Sequence, residues 1–333
     1  MRIVALSAVA VALAAAAPAN ADPWNIRVGW VTTPTHLQPL IDELHKRHPE
    51  LFPHFGQSYV AEGVHFQGTT PQIEALAINE LEIASFGPEA LALAVDNAHL
   101  NVRMIADVFQ DGVPGYGSVT YVVRKDSPIK TIEDLKGKTV ATNAIGSFGD
   151  SAMRINLREH GISDRDVTTV ETNFDTMVPM LDEGKVDLIN LLPKFHYMLD
   201  KYRVLFTGAD GEGRIEAVLW AMRAEQIATH RAALVDFLED HDRAVQWFLD
   251  PAHHDEAVAI AAAVTKAKPS TLNYIFTKDD SYHAPDGKPD VAGAQRAIDV
   301  ELKYGIIKQG LTIEPKYVDL GPVEEAAKRL GGS

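Results

Sequence analysis

The segment that most constrains folding lies mid-chain. There Ser127-Pro128-Ile129-Lys130-Thr131-Ile132-Glu133-Asp134-Leu135-Lys136-Gly137-Lys138-Thr139-Val140-Ala141 runs on into Thr142-Asn143-Ala144-Ile145-Gly146-Ser147-Phe148-Gly149-Asp150-Ser151. A short amphipathic turn feeds a strand, the strand ends in a Gly/Ser loop, and a helix starts from that loop. A junction of this kind points several backbone N–H groups at one spot, where a small ligand can sit.

Strand and helix alternate on both sides of it. The spacing predicts a buried strand over residues 26–31, a polar turn, and an amphipathic helix over 37–48, with a weaker strand pair near 58–60 and 64–66. Thr69 and Thr70 ahead of Pro71 announce a helix reaching about residue 80. Either threonine could cap it, and Thr69 with Gln72 has capping-box spacing. A strand over 83–86, a helix from Gly87-Pro88 to 95 and a strand over 102–109 complete a first unit. A second unit reads as an extended run over 116–124, then the opening segment with its helix over 150–160. A strand over 167–170, a helix over 175–183, strands over 186–191 and 204–206, and a Gly-rich turn over 209–214 follow. After an extended run over 216–222, residues 226–268 are almost wholly helical with a break at Asp250-Pro251, and another helix covers 292–303.

This alternation predicts an α/β fold of two units with a helical tail. The extended runs 117–124 and 215–222 bracket the second unit and are the candidate crossings between lobes. The expected division is lobe 1 over 22–116 plus 224–333, lobe 2 over 117–214, and a hinge crossover over 215–223.

The first residues read as a cleavable signal peptide: Arg2 as a minimal basic region, an apolar run over 4–17, and Ala19-Asn20-Ala21 as the cleavage pattern, so that the mature chain starts at Asp22. The chain has no cysteine, which removes disulfides, a cysteine nucleophile and thiolate metal sites, and also the cysteine that a lipid-anchored exported protein would need. A freely soluble periplasmic protein is expected, and a monomer. The 31 basic and 46 acidic residues give a net charge of -15, which argues against nucleic acid and anionic membranes as partners.

Three stretches carry a family resemblance. They are Gly68-Thr69-Thr70-Pro71-Gln72-Ile73-Glu74-Ala75-Leu76 with Glu80-Leu81-Glu82-Ile83-Ala84-Ser85-Phe86-Gly87, the run from Thr131 to Ala141 with Gly146-Ser147, and Met180-Leu181-Asp182-Glu183-Gly184-Lys185-Val186-Asp187-Leu188-Ile189. The sequence resembles the periplasmic substrate-binding proteins of ABC importers, in the sulfonate/taurine/nitrate-type group. The resemblance implies the two-lobed type II periplasmic binding fold, a cleft that closes by hinge motion, delivery to permease subunits, and no catalysis. It also implies ligand contacts from residues 30–36, 68–70, 86–88, 146–150 and 190–192.

Within those loops, Gly146 and Ser147 are the anion-binding candidates, with Asp150 in the first helical turn as a partner for an ammonium group or a plain dipole-stabilising acid. Gly68, Thr69 and Thr70 could contact ligand on the facing lobe, Gly87, Asn190 and Leu192 follow strands, and Thr33 and His36 follow the first one. Trp30, Phe86, Tyr116 and Phe148 sit at or beside strand ends, where rings could stack on a planar or apolar ligand. No Arg or Lys falls in these loops, which disfavours a small inorganic anion and favours a larger, partly apolar acid.

No cofactor or metal is expected: His45, His48 and His54, like His253-His254, read as solvated helix faces, and no H-E-x-x-H, EF-hand or Walker loop occurs. Rival readings are a pyrimidine-precursor synthase of the thiamine pathway, which carries a cysteine-rich motif absent here, an exported hydrolase, for which G-S-x-G around Ser147 is the wrong elbow, and a sensory binding protein of the same fold.

Overall fold

A computed structural model describes residues 22–331; the signal-peptide reading of residues 1–21 lies outside the described residues. Among the described residues no helix is long and apolar enough to cross a membrane.

The first sheet is built from β1 (Trp24–Trp30), β2 (Tyr59–His65), β3 (Ile83–Phe86), β4 (Val102–Asp111) and β10 (Ile215–Arg223), in the order β2-β1-β3-β10-β4. Strands β1 to β3 are parallel and β10 runs antiparallel to both its neighbours. The second sheet holds β5 (Thr120–Arg124), β6 (Thr139–Thr142), β7 (Thr168–Glu171), β8 (Ile189–Leu191) and β9 (Tyr202–Thr207). A parallel bridge from Val140 to Leu188 joins the pair β7-β6 to the trio β8-β5-β9. The two sheets therefore share one topology. In each, the fourth strand is antiparallel, and it is the first strand laid down after the chain changes sheets.

The strand pair expected at 58–60 and 64–66 is one continuous strand, β2, held along its whole length by β1. Residues 215–223, expected as the hinge crossover, form β10 in the middle of the first sheet. The crossings lie just before the strands they feed. One runs from Asp111 to Val119, where Asp111 accepts hydrogen bonds from Ser118 Oγ (2.7 Å) and Val119 N (3.0 Å). The other passes through α6 (Gly208–Glu212), a short helix where a polar turn was expected. The two touch at Gly112, which has φ +69° and leaves only 2.4 Å between a would-be Cβ and the Gly213 carbonyl oxygen. No side chain fits there.

Helices α1 (Gln38–Arg47), α2 (Gln72–Ala77) and α3 (Pro88–Asp96) connect the strands of the first sheet. Helices α4 (Phe148–Glu159) and α5 (Phe174–Asp182) do so in the second. The tail supplies α7 (Ala224–Leu249), α8 (His254–Thr265), α9 (Val291–Lys303) and α10 (Gly321–Arg329), all folded back onto the first sheet or its helices. The last of these follows a stretch with weak helical signals and was not expected.

The capping box expected of Thr69 and Gln72 does not form. Gln72 is fully buried and turned inward: its Oε1 accepts from Ser85 N (2.8 Å) within β3, and its Nε2 donates to Gly68 O (3.3 Å). The side chain thus ties α2 to the sheet and leaves the Thr69 hydroxyl without a partner. Replacing Gln72 by Ala strands the Ser85 amide in the core. It should cost about 1–3 kcal/mol of stability, read as a lower urea midpoint.

Candidate functional site: a chamber between the lobes

Three elements bring the lobes together at the carboxyl ends of the strands. The loop before α2 meets the loop before α4: Gln67 Nε2 donates to Asn143 O (3.3 Å), Asn143 Nδ2 donates to Gln67 O (3.5 Å), and Thr70 Oγ1 donates to Gly146 O. Gly68 lies so close to Ala144 that a Cβ on it would come within 2.3 Å of the alanine methyl. On the far side, Arg158 donates to Tyr304 O, and the Tyr304 hydroxyl donates to Glu159 (2.9 Å).

Behind these contacts lies a narrow chamber of about 30 Å³ shared by both lobes. Val31, Thr35, His36, Thr69, Phe109 and Val218 line it from the first lobe, and Asn143, Ser147, Phe148, Phe174, Asn190 and Leu192 from the second. The rings form an apolar band: Phe109 meets Phe148 edge-on across the lobes (centroids 6.2 Å) and His36 on its own lobe (6.0 Å). A wider mouth, open to solvent, is walled by Trp30, Thr33, Pro34 and His65 of the first lobe and by Asp175 and Phe195 of the second.

The local fold of the α4 start explains what it presents. Gly146 adopts φ +72°, which turns the chain into the helix. Asp150, in the first turn, accepts from Gly146 N (3.0 Å) and from Arg154 Nε (2.8 Å) one turn on. Ser147 occupies the N-cap position with its hydroxyl donated backwards to Ala144 O (2.7 Å). The amides of Phe148 and Gly149 meet no acceptor among the described residues, so the positive end of the helix faces the chamber.

The polar groups of the chamber are neutral. Asn190 is 1 % exposed and neither atom of its amide has a partner; Thr35 Oγ1, Thr69 Oγ1 and His36 Nε2 are likewise unpartnered. His36 Nδ1 lies 3.2 Å from Thr32 O, and burial, with His283 and His65 nearby, drives its pKa down to about 3, so the ring is uncharged. No Asp, Glu, Lys or Arg is among the described residues lining the chamber.

Acids gather behind it instead, where α3, α4, α6 and α9 converge. Burial raises Glu89 to about 8 and pushes Glu212 and Glu301 well above the carboxylate range, with the charge of Glu89 adding to the rise of both Glu212 and Glu301. Asp111 rises to about 6 by burial, and Asp150 rises less because Arg154 opposes it. These folded-state values exceed the unfolded ones, so the stability they carry is present in acid and lost as pH climbs through them. Melting temperature should fall from about pH 5 to about pH 8, and Glu89→Gln should flatten part of that slope in a pH series of thermal melts.

Of the expected site residues, His36, Thr69, Ser147, Phe148, Asn190 and Leu192 meet in the chamber, while Trp30 and Thr33 stand at its mouth. Gly68, Thr70 and Gly146 serve the contact between lobes. The others have different work. Phe86 is fully buried in the core with Leu76, Leu91 and Met104, because β3 is short and ends beneath α3. Gly87 lies under the Glu89 carboxylate, 2.1 Å from where a Cβ would sit. Tyr116 packs edge-on against Tyr282 with Lys278 Nζ 3.7 Å above its ring, away from the chamber. Asp150 turns its Oδ2 to Arg154 and Gly146 and does not line the chamber. Phe109, Asn143, Phe174 and Val218 were missed; Phe109 near the end of β4 and Phe174 at the start of α5 obey the strand-end and helix-start logic applied elsewhere.

A two-lobed body with a chamber between the lobes at the strand ends, joined by two crossings, has the architecture of a two-lobed binding fold. The family described as "ABC transporter, phosphonate, periplasmic substrate-binding protein" matches residues 32–188. Solved structures of the same fold include the alkanesulfonate-binding protein SsuA from Xanthomonas axonopodis pv. citri bound to MOPS, with TM-score 0.65 and 18 % identity over 91 % of this chain and 98 % of that one. The nitrate-binding protein NrtA from Synechocystis PCC 6803 gives 0.71 and 14 % over 92 % and 89 %. A cysteine-to-serine mutant of DszB in complex with biphenyl-2-sulfinic acid gives 0.62 and 12 % over 92 % and 99 %. No curated protein matches the chain by sequence. The family model covers part of the chain, and the solved structures share its fold.

Gly149 tests the site directly, since a Cβ there would lie 2.6 Å from Asn190 Nδ2 and 3.1 Å from Asn143 Oδ1. Gly149→Ala favours the helix by up to about 1 kcal/mol, yet should weaken ligand at least tenfold in a calorimetric titration.

Proposed function

We propose that this protein captures a small, partly apolar organic molecule in the interlobe chamber and presents it to the permease of an ABC importer. The observation that carries this reading is the chamber's make-up: rings and aliphatic groups from both lobes around unpartnered neutral polar atoms, with one helix start facing in. A periplasmic location, which the matching family description supports, and a monomeric state belong to this reading. The polar head of the ligand, a carboxylate or sulfonate or a carbonyl, rests on the first amides of α4. Its body lies along Phe109, Phe148 and Phe174. Sulfonate and nitrate binding by the structural relatives supports an oxygen-bearing head. The absence of any cation among the described lining residues favours a head of low charge on a larger body.

The protein works by binding and not by catalysis. The Ser147 hydroxyl is committed to a backbone carbonyl and so is not activated as a nucleophile. The chain also has no cysteine to match the one replaced in the DszB mutant.

A thermal-shift screen of aromatic carboxylates, sulfonates and heterocycles tests the reading. A ligand at a hundred times its Kd adds about 2.7 kcal/mol, a rise of several degrees. Phe148→Ala should cut affinity at least tenfold, since a buried ring contributes about 1.5–3 kcal/mol. A broad screen without any shift overturns the proposal.

A further inference from the structure

We infer that the ligand carries an amide-type edge, an N–H beside a C=O, and that Asn190 reads it. This rests on the solute-binding reading above and narrows it to planar lactams, imides and carboxamides.

Asn190 sits in the middle of β8, its backbone paired to Tyr121 of β5, and its side chain lines the chamber. It is 1 % exposed, and both Nδ2 and Oδ1 lack partners. A primary amide offers N–H donors on one side and an acceptor on the other, whichever way the group is turned. Threonine hydroxyls can rotate to give or to accept, so Thr35 and Thr69 adapt to any ligand. Asn190 cannot. Buried, it needs a ligand that accepts beside one atom and donates beside the other.

Nitrate, sulfonate and carboxylate ions have oxygens only. Such an ion could take Asn190 Nδ2 and the α4 amides, but its lone pairs would face Oδ1 and leave it buried and unmet. His36 adds to the demand. Its Nδ1 lies against the Thr32 carbonyl, which can only accept, so the proton is on Nδ1 and the unpartnered Nε2 is a second acceptor. A ligand with N–H groups supplies what these acceptors lack.

The position of Asn190 fits the same edge. Its Nδ2 lies where a Cβ of Gly149 would come within 2.6 Å, so the amide rests on the first turn of α4 beside that turn's open N–H groups. A ligand carbonyl placed there meets donors from helix and side chain together, and the neighbouring N–H reaches Oδ1. Phe109 of one lobe, with Phe148 and Phe174 of the other, supplies flat apolar walls for the plane of such a group.

The test uses the whole mature protein with two probe sets. One set is 2-pyridone, uracil and nicotinamide; the other is benzoate, benzenesulfonate and methylphosphonate. Each is measured by thermal shift and calorimetry on the native protein and on Asn190→Leu. The first set should bind the native protein and lose at least tenfold in Asn190→Leu. Without any probe, Asn190→Leu should melt at the same temperature or higher, because a buried amide with no partner is replaced by an apolar group of similar size. A marked fall in that melting temperature would make Asn190 a structural residue and overturn the inference. Binding confined to the second set, unaffected by Asn190→Leu, also overturns it while leaving the solute-binding reading standing. No binding from either set overturns both.

Discussion

The site depends on the grip of one buried carboxylate. Asp150 holds the Gly146 amide on one side and the Arg154 guanidinium on the other. This clamp sets the path of residues 143–147, and that path does two things at once. It gives the second lobe its half of the chamber through Asn143, Ser147 and Phe148. It also offers Asn143 O, Ala144 and Gly146 O to the first lobe, where Gln67, Gly68 and Thr70 meet them. Ligand enclosure and lobe contact are therefore properties of the same few residues. Arg154 is tied in turn to Asp164 (2.8 Å), so the clamp is anchored to the loop beyond the helix.

Much of the architecture was legible because it is written in periodicity and turn chemistry. The helix starts at Pro88 and near Ser147, the stop at Gly161 and the double strand-helix alternation all reflect local rules. What was not legible depends on partners far along the chain. Gln72 at capping-box spacing is drawn instead to Ser85 of β3, because the buried Ser85 amide needs an acceptor. Phe86 and Tyr116 satisfy the same strand-end rule as Phe148, yet only Phe148 reaches the chamber. The rule locates a ring along the chain but not the face it occupies. Asp150 looked free to meet an ammonium group, although Arg154 stands four residues on and claims it.

The charge of the molecule and the charge of its site are separate matters. A chain with 46 acidic residues against 31 basic ones lines its chamber with groups that carry no charge. The acids Glu89, Glu212 and Glu301 are buried where α3, α4, α6 and α9 meet, and burial favours their neutral form. Discrimination in the chamber thus falls to hydrogen-bond direction and ring contact, which are short-ranged and insensitive to salt.

The antiparallel fourth strand of each sheet bears on how the protein is made. All five strands of the second sheet come from one unbroken stretch between Thr120 and Thr207. The first sheet begins with β1 but has a gap between β3 and β4 until β10 arrives, just over a hundred residues after β4 has been made. As the chain emerges from its N-terminus, the later lobe can complete its core first, while the earlier one waits with an open sheet. The lobe that starts the sequence is the one whose sheet is completed last along the chain.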